Sequence, residues 1–405
     1  MKYDIKTIDD FDVKGKKVLV RVDINSSINR KDNILMNTLR IEELKPTLDA
    51  LKEAAVVIIA HQGREGKKDF TSLQPHSEAM KKLYGDHIKF VDCVHGSTAV
   101  NAIKNLTPGE VLLLENVRFM AEETMKGSPE DLAKTHFVQT LAPLFDLFVC
   151  DAWGAAHRGQ TSLVGFTEVL PSCMGKIFEE ELDVMAKITE NPQRPVYYAI
   201  GGAKVETKFK VLKNLLDNKK ADKILVCGLL QNILLQGAGV EIGAINKKPI
   251  KNFDEYLSTA EDIMNKYKDF IVLPTDLALN INKERKDIPA SELRNNPDYP
   301  SNDIGKNTAE TYANILKEAG TIVSNGPAGV FEIPPFDFGS KAILKAMAAN
   351  EKAFTVVGGG EMGGLCQDLK LPVDFISTGG GAMLEFLTGK KLPVIEALKK
   401  AAKSN

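Results

Sequence analysis

Residues 196–218 read VYYAIGGAKVETKFKVLKNLLDN. The first five are β-favouring and without charge, as expected of a strand buried on both faces. From Val205 the period changes, and Val205, Phe209, Leu212 and Leu216 share one stripe of a helix. Between the two stand Gly201, Gly202, Ala203 and Lys204. Glycines at such a junction let backbone amides and the helix amino terminus approach an anion, and Lys204 and Lys208 add positive charge. A strand–glycine–helix unit is a building block of parallel α/β sheets.

The same alternation extends outward in both directions. Short apolar runs at 17–22, 54–60, 110–114 and 145–150 alternate with helical stretches near 38–53, 75–83 and 129–140. Further runs lie near 222–226, 270–273, 320–324, 353–357 and 373–376. Apolar strands separated by helices imply parallel sheets covered on both faces. With 405 residues the chain is too long for one core, and a helical stretch at about 174–190 is the natural connection between two doubly wound domains.

Composition excludes several classes. Hydrophobic residues make up 43% and charged residues 26%, so the chain is globular rather than disordered. The net charge of -2 offers no global field for nucleic acid or an anionic membrane, and neither is an expected partner. The longest apolar run, Ala54 to Ala60, is far below the roughly 20 residues that span a bilayer. The amino terminus, MKYDIKTIDD, has no secretory h-region, so a cytoplasmic location is expected. The five scattered cysteines include no CxxC pair and read as reduced thiols. No HExxH spacing occurs among the six histidines, which argues against a histidine metal centre.

Arginine is scarce, nine of the 52 cationic side chains, and six of the nine precede residue 160. Where lysine is the default cation, arginine marks places that need its planar fork. Strand VLVRVDIN leads into Asp23 and Asn25, which share a face; AAVVIIA leads into His61, Gln62, Gly63 and Arg64. VLLL leads into Arg118, FDLFVC into Asp151, His157 and Arg158, and Arg40 opens the helix after the first loop. Parallel sheets bind ligands at their carboxyl edge, so this convergence points to a small polyanion. His76, His87, His95 and His136 read as surface or capping residues.

Glycine runs the other way, ten before residue 170 and 21 after it. Gly358-Gly359-Gly360 follows the strand FTVV, and Gly379-Gly380-Gly381 precedes the helix AMLEFL. Three strand–glycine–helix junctions in one half favour a nucleotide or polyphosphate. Every Gly-Lys pair continues with Lys, Ile or Asn, so there is no Walker A loop, and no GxSxG nucleophile elbow occurs. Asp337-Phe338-Gly339 has no HRD or VAIK companion and is not a protein-kinase metal loop.

In order along almost the whole chain, RVDIN, AHQGR, LENVRF, DAWGAAHR, GGAKVETK, SNGPAGVFE, GGGEM and STGGGAMLEFLTGKKLP resemble the motifs of the phosphoglycerate kinase family. The resemblance implies two Rossmann-like domains joined by a hinge helix: 1–172 for phosphoglycerate and 173–389 for nucleotide, with 390–405 packing back on the first. It implies phosphoryl transfer between ADP/ATP and 3-phosphoglycerate/1,3-bisphosphoglycerate with Mg²⁺, in a monomer or homodimer that closes as both ligands bind. Asp23, Asn25, Arg40, His61, Gln62, Gly63, Arg64, Arg118 and Arg158 fall on phosphoglycerate. Gly202, Ala203, Lys204, Lys208, Asn325, Glu332 and Gly358–Glu361 fall on the nucleotide, with Glu332 on the ribose and Glu361 on the metal. Arg40, Lys204 and Gly380 fall on the transferring group.

The chain departs from the family pattern at four places. Ile24-Asn25-Ser26-Ser27 stands for Phe-Asn-Val-Pro, and a looser loop is expected there. Cys227-Gly228-Leu229-Leu230 replaces the Gly-Gly-Gly-Met adenine-side turn, Glu361-Met362 replaces Asp-Thr, and Ser324 replaces a tryptophan. Two other classes compete: a nicotinamide dehydrogenase, resting only on the GxGxxG match GGGEMG at 358–363, and a non-catalytic two-domain anion-binding protein. Formation of ATP from ADP and the bisphosphoglycerate discriminates among the three.

Overall fold

The structure, a computed structural model, describes residues 3–29 and 32–404. Met1 and Lys2, which begin the stretch without an h-region, and Asn405, which ends the segment 390–405, lie outside the described residues. The chain forms two compact units, one of Met1–Asp183 with Lys391–Asn405, the other of Val184–Lys390.

In the first unit six parallel strands form one sheet: β1 (Lys17–Val22), β4 (Ala55–Ile59), β5 (Ile88–Val91), β6 (Val111–Leu114), β7 (Leu147–Asp151) and β8 (Ser172–Met174). Their order is β5-β6-β4-β1-β7-β8, and a two-stranded ribbon, β2 (Ile28–Asn29) and β3 (Ile34–Leu35), follows β1. From β1 the chain winds to one side through β4 and returns on the other at β7, leaving a crevice at the carboxyl end of β1. All five residues of β4 and of β7 are buried, which is why β4 is apolar throughout and β7 is apolar up to Asp151 at its end. Strands β5 and β8 were not expected; β5 carries a lysine in mid-run, and β8 has three residues, too few for a periodic signal. Because β8 pairs with β7, the first sheet runs past residue 172.

Two expected helices are broken. The 38–53 stretch forms Leu39–Glu42 and Lys45–Ala50, since Pro46 has no N–H and favours a new first turn. The 129–140 stretch forms Pro129–Leu132 and His136–Leu141, where the Thr135 hydroxyl accepts from Val138 N at 3.5 Å and caps the second.

The long helix is Lys176–Thr189, and the boundary between the units falls within it. Its first turn has amides without helical partners. Asp151, buried at the end of β7, accepts from Phe178 N at 2.9 Å, and Thr47 Oγ1 accepts from Lys176 N at 3.0 Å. Asp151 therefore caps the connecting helix rather than facing the crevice, as its place beside His157 and Arg158 had suggested. In the same unit, Val394 N donates to Ala156 O at 3.3 Å and Lys400 pairs with Glu168 at 2.6 Å, seating the helix Pro393–Ser404.

The second unit has a six-stranded parallel sheet of β9 (Val196–Ile200), β10 (Lys223–Val226), β11 (Ile271–Val272), β15 (Thr321–Asn325), β16 (Phe354–Gly358) and β17 (Phe375–Ser377). Its order, β11-β10-β9-β15-β16-β17, is that of dinucleotide-type doubly wound folds, with the switch point between β9 and β15. Between β11 and β15 the chain makes an antiparallel excursion, β12 (Asp276–Ile281), β13 (Glu284–Pro289) and β14 (Ser301–Ile304), with β12 central. No sequence signal marked it, because β13 (ERKDIP) is polar and half of its residues are exposed. Among the described residues no helix is long and apolar enough to cross a membrane.

At the switch point, backbone meets backbone. Gly201 N donates to Asn325 O at 3.0 Å and Gly202 N to Pro327 O at 2.7 Å. Gly326 has φ +82°, and a Cβ there would lie 2.4 Å from Gly201 O. Gly326→Ala combines a left-handed backbone with a backbone collision, and unfolding monitored by circular dichroism should show a loss of about 2–3 kcal/mol. An unchanged midpoint would mean that the two turns can separate at little cost.

Candidate active site

The first crevice is built around a buried arginine that the sequence reading did not assign. Arg21 lies within β1, fully buried, and its guanidinium donates to Ser162 Oγ at 2.8 Å, to the Val22 carbonyl and to His61 Nδ1 at 3.0 Å. A guanidinium only donates, so Nδ1 is an acceptor, while Arg158 Nη1 lies 3.5 Å from Nε2. Burial holds His61 well below the usual histidine range; Asp23 opposes the shift, and Arg21, Arg118 and Arg158 reinforce it. His61 is therefore neutral at neutral pH. Ser162 in turn donates to buried Glu123 at 2.8 Å. The signal for Arg21 was present, an arginine inside an apolar strand, but its inward direction depends on the fold.

Arg40 pairs with Asp23 at 2.8 Å. Burial alone would raise the Asp23 carboxyl, but Arg40, His61 and Arg21 together hold it well below the usual range. Asn25 Oδ1 accepts from Gly63 N at 2.8 Å, joining the β1 and β4 loops. Gln62 is fully buried, accepting from Ser26 N at 3.0 Å and donating to Ser26 O at 2.8 Å and Asp69 O at 3.1 Å. Its amide therefore holds the two loops together. The same bonds correct the expectation of a loose 24–27 loop, since Ser26 also bonds Ile24 O at 3.0 Å. The Gly63 carbonyl accepts from Arg118.

Arg64, Arg118 and Arg158 line one cavity of about 730 Å³. Burial and the neighbouring guanidiniums of Arg158, Arg21 and Arg64 lower Arg118 to about 10, despite Glu123. Burial likewise lowers Arg158; Asp23 opposes the shift, while Arg64, Arg21 and Arg40 add to it. Cations that repel one another this way favour an anion that relieves the repulsion. His157 sits beside Arg158, 3.4 Å from its Nε. His76 corrects the surface reading: it is fully buried, and burial pushes it down to about 4. His95 and His136 make an edge-to-face ring contact outside this cluster.

In the second unit the glycine junctions form the cradle. Gly201 and Gly202 lead into the helix Val205–Asp217, with Ala203 and Lys204 exposed at its start. Gly228 takes φ +61°, and a Cβ would lie 2.4 Å from Gly202 N; the Cys227–Leu230 turn thus packs directly on the cradle. Ser324 is buried in β15. Gly358 ends β16, where a Cβ would sit 2.3 Å from Met383 Sδ and 2.8 Å from Asn325 Nδ2. Gly359 has φ +98°, and Gly380 packs on it so closely that a Cβ would lie 2.5 Å from Gly359 Cα. These contacts gather Asn325, Gly358–Gly360 and Gly380 at one place. Glu361 is exposed in the first turn of the helix Gly360–Asp368, and Glu332 is exposed on the loop after β15.

Lys208 is 2% exposed, its ammonium donating to Asn325 O at 2.9 Å and Oδ1 at 2.6 Å. Burial lowers it to about 7; Cys227 and Glu361 oppose the shift, and Lys204 adds to it. Among the described residues no group of three or more His, Cys, Asp or Glu side chains could cage a metal. Glu361, near enough to act on Lys208, is a lone carboxylate, and that suits an Mg²⁺ carried by a nucleotide, which needs only one or two.

An arginine basket on one doubly wound domain and a glycine–lysine cradle on a second define a two-domain α/β phosphotransferase. The phosphoglycerate kinase family model matches residues 8–390. The chain is 40% identical to the phosphoglycerate kinase of Methanothermobacter thermautotrophicus, covering 99% of this chain and 98% of that one. With that of Methanococcus maripaludis it shares 43%, over 98% of each. The crystal structure of phosphoglycerate kinase from Pyrococcus horikoshii superimposes with TM-score 0.89 at 36% identity, over 98% of each chain. The chain belongs to the phosphoglycerate kinase family.

The state of Lys208 can be read without any ligand. Its folded value lies below the unfolded value near 10.5, so the unfolded chain binds more protons between about pH 7 and 10.5, and this group's contribution to stability rises with pH there. Lysine side-chain NMR should show one ammonium titrating near pH 7, absent in Lys208→Met. A full set of lysines titrating above pH 9 would overturn this placement.

Proposed function

We propose that the protein catalyses reversible phosphoryl transfer between 1,3-bisphosphoglycerate and ADP, giving 3-phosphoglycerate and ATP. The observation that carries this reading is the group of mutually repelling guanidiniums of Arg118 and Arg158 beside the Arg40–Asp23 pair and neutral His61. Arg64, Arg118 and Arg158 hold the distal phosphate, while Asp23, Asn25 and His61 hold the glycerate. The nucleotide phosphates lie on Gly202, Ala203, Lys204, Lys208 and Gly358–Gly360, near Asn325, with Glu332 on the ribose. An arriving phosphate gives Lys208 an anionic partner and so favours its charged form.

In the direction that consumes ATP, a carboxylate oxygen of 3-phosphoglycerate attacks the γ-phosphorus. The new O–P bond forms as the bond to the β,γ-bridging oxygen breaks, and the electron pair leaves with ADP. The carboxylate is already ionised at pH 7, so no general base is needed. The protein's task is alignment and charge neutralisation. Arg40, Lys204 and the helix start at Gly380 neutralise the transferring group. Glu361 would hold a nucleotide-borne Mg²⁺, which would supply further neutralisation of the phosphate oxygens.

A coupled assay of ATP formation from ADP and the bisphosphoglycerate tests the reading directly; binding of both ligands without turnover would leave only the anion-binding alternative. Arg40→Lys should lower kcat about 10²-fold with phosphoglycerate affinity within an order of magnitude, since a point charge cannot span two oxygens. Lost affinity with intact kcat would move Arg40 to the distal phosphate. Glu361→Gln should raise the Mg²⁺ concentration for half-maximal rate at unchanged phosphoglycerate affinity. An unaltered requirement would mean that nucleotide and water alone hold the metal.

A further inference from the structure

The antiparallel excursion β12–β14 lies outside the parallel sheet, yet it carries a buried ion pair aimed at the loop after β15. Arg285 on β13 donates to Asp303 Oδ2 at 2.8 Å, Asp287 Oδ1 at 2.8 Å and Ile304 O at 2.6 Å, and its guanidinium lies 4.8 Å from the centre of the Phe338 ring. Asp303, fully buried on β14, also accepts from Gly339 N at 2.8 Å, at the start of the helix Phe338–Ala348. The loop between β15 and that helix, residues 326–337, is thereby gripped from below. Val330 N donates to Asn302 O at 2.8 Å, and Arg285 reaches Pro335 O at 3.3 Å. A Cβ at Gly329 would lie 2.4 Å from Asn302 O and 2.7 Å from the Asp303 carboxyl carbon, so the loop rests directly on this pair.

Breaking a buried pair is costly because it strands the remaining charge, so the pair has one stable arrangement. Three of the bonds just described, at Val330 N, Pro335 O and Gly339 N, end on the loop that carries Glu332 or on the helix that follows it. We propose that Arg285 and Asp303 are positioning residues for the nucleotide, fixing the 326–337 loop so that Glu332 meets the ribose hydroxyls. This rests on the ribose reading of Glu332. It assigns the polar strand β13 a task that folding alone does not require of it. A lysine at 285 would keep the charge but lose the fork that bonds to Asp303, Asp287 and Ile304 together.

The test is steady-state kinetics with 3-phosphoglycerate and either ATP or 2′,3′-dideoxy-ATP, on the unaltered chain, Asp303→Asn, Arg285→Lys and Glu332→Ala. Both node variants should raise KM for ATP about tenfold, the size of a lost charge-assisted contact. They should also bring the ratio of the dideoxy-ATP and ATP KM values towards one, with kcat and KM for 3-phosphoglycerate within about twofold. Arg285→Lys keeps the proposal testable if Asp303→Asn fails to fold. If Glu332→Ala loses the ribose preference while folded node variants keep it, the positioning role is overturned and the ribose reading stands. A KM rise equal for both nucleotides, or a parallel rise for 3-phosphoglycerate, would mean general damage and overturn the role as well. No ribose preference in the unaltered chain would overturn the ribose reading and the proposal with it.

Discussion

Among the described residues, each unit buries a cation at the carboxyl edge of its parallel sheet and binds it directly to neutral groups. Arg21 is held by a serine hydroxyl, a backbone carbonyl and an imidazole, and Lys208 by the backbone and side-chain oxygens of Asn325. Removing a charge from water is expensive, and neutral acceptors offset the cost without cancelling the field. A carboxylate bonded directly to either cation would neutralise the edge that an anion must approach. Glu123 stands one hydroxyl away from Arg21, behind Ser162, and burial raises its pKa against the pull of Arg21. The positive potential of both crevices follows from this choice of partners, and the more exposed arginines and Lys204 add to it.

The glycines answer a different constraint. At the switch point between β9 and β15 two chain reversals must share one small volume, and backbone hydrogen bonds fill it. Side chains at Gly201, Gly228 or Gly326 would overlap the opposite turn by an ångström or more. The second pair of junctions, at Gly359 and Gly380, repeats the device one strand further along. Close approach leaves no side chain between the backbone and an incoming phosphate, so the packing requirement and the binding surface have the same cause.

Much of the interior polarity is structural. Gln62 ties two loops, Asn116 bonds Gln62 O and Thr71 O, and Asp151 caps the connecting helix. Such residues sit inside motifs beside the proposed ligands, and in sequence they look the same as ligands. What separates them is direction: a side chain whose donors and acceptors are all matched inside the protein has none left for a substrate.

The sequence alone determined the parallel α/β class, the two-domain organisation and the family, because apolar strand runs, helical stripes and glycine junctions are local patterns. It also located the arginine loops, since adjacent parallel strands bring their carboxyl ends together whatever the details. The sequence did not determine the excursion β12–β14, whose polar strand carries no burial signal, or the breaks in the 38–53 and 129–140 helices, where capping competes with periodicity. The tertiary structure decided that Arg21 and Lys208 face inward while Arg64 and Lys204 face out, that Gln62 and Gly63 are occupied, and that Arg285 reaches Asp303 and the loop after β15. Those outcomes depend on contacts between residues far apart in the chain, and burial and charge pairing are set by those contacts.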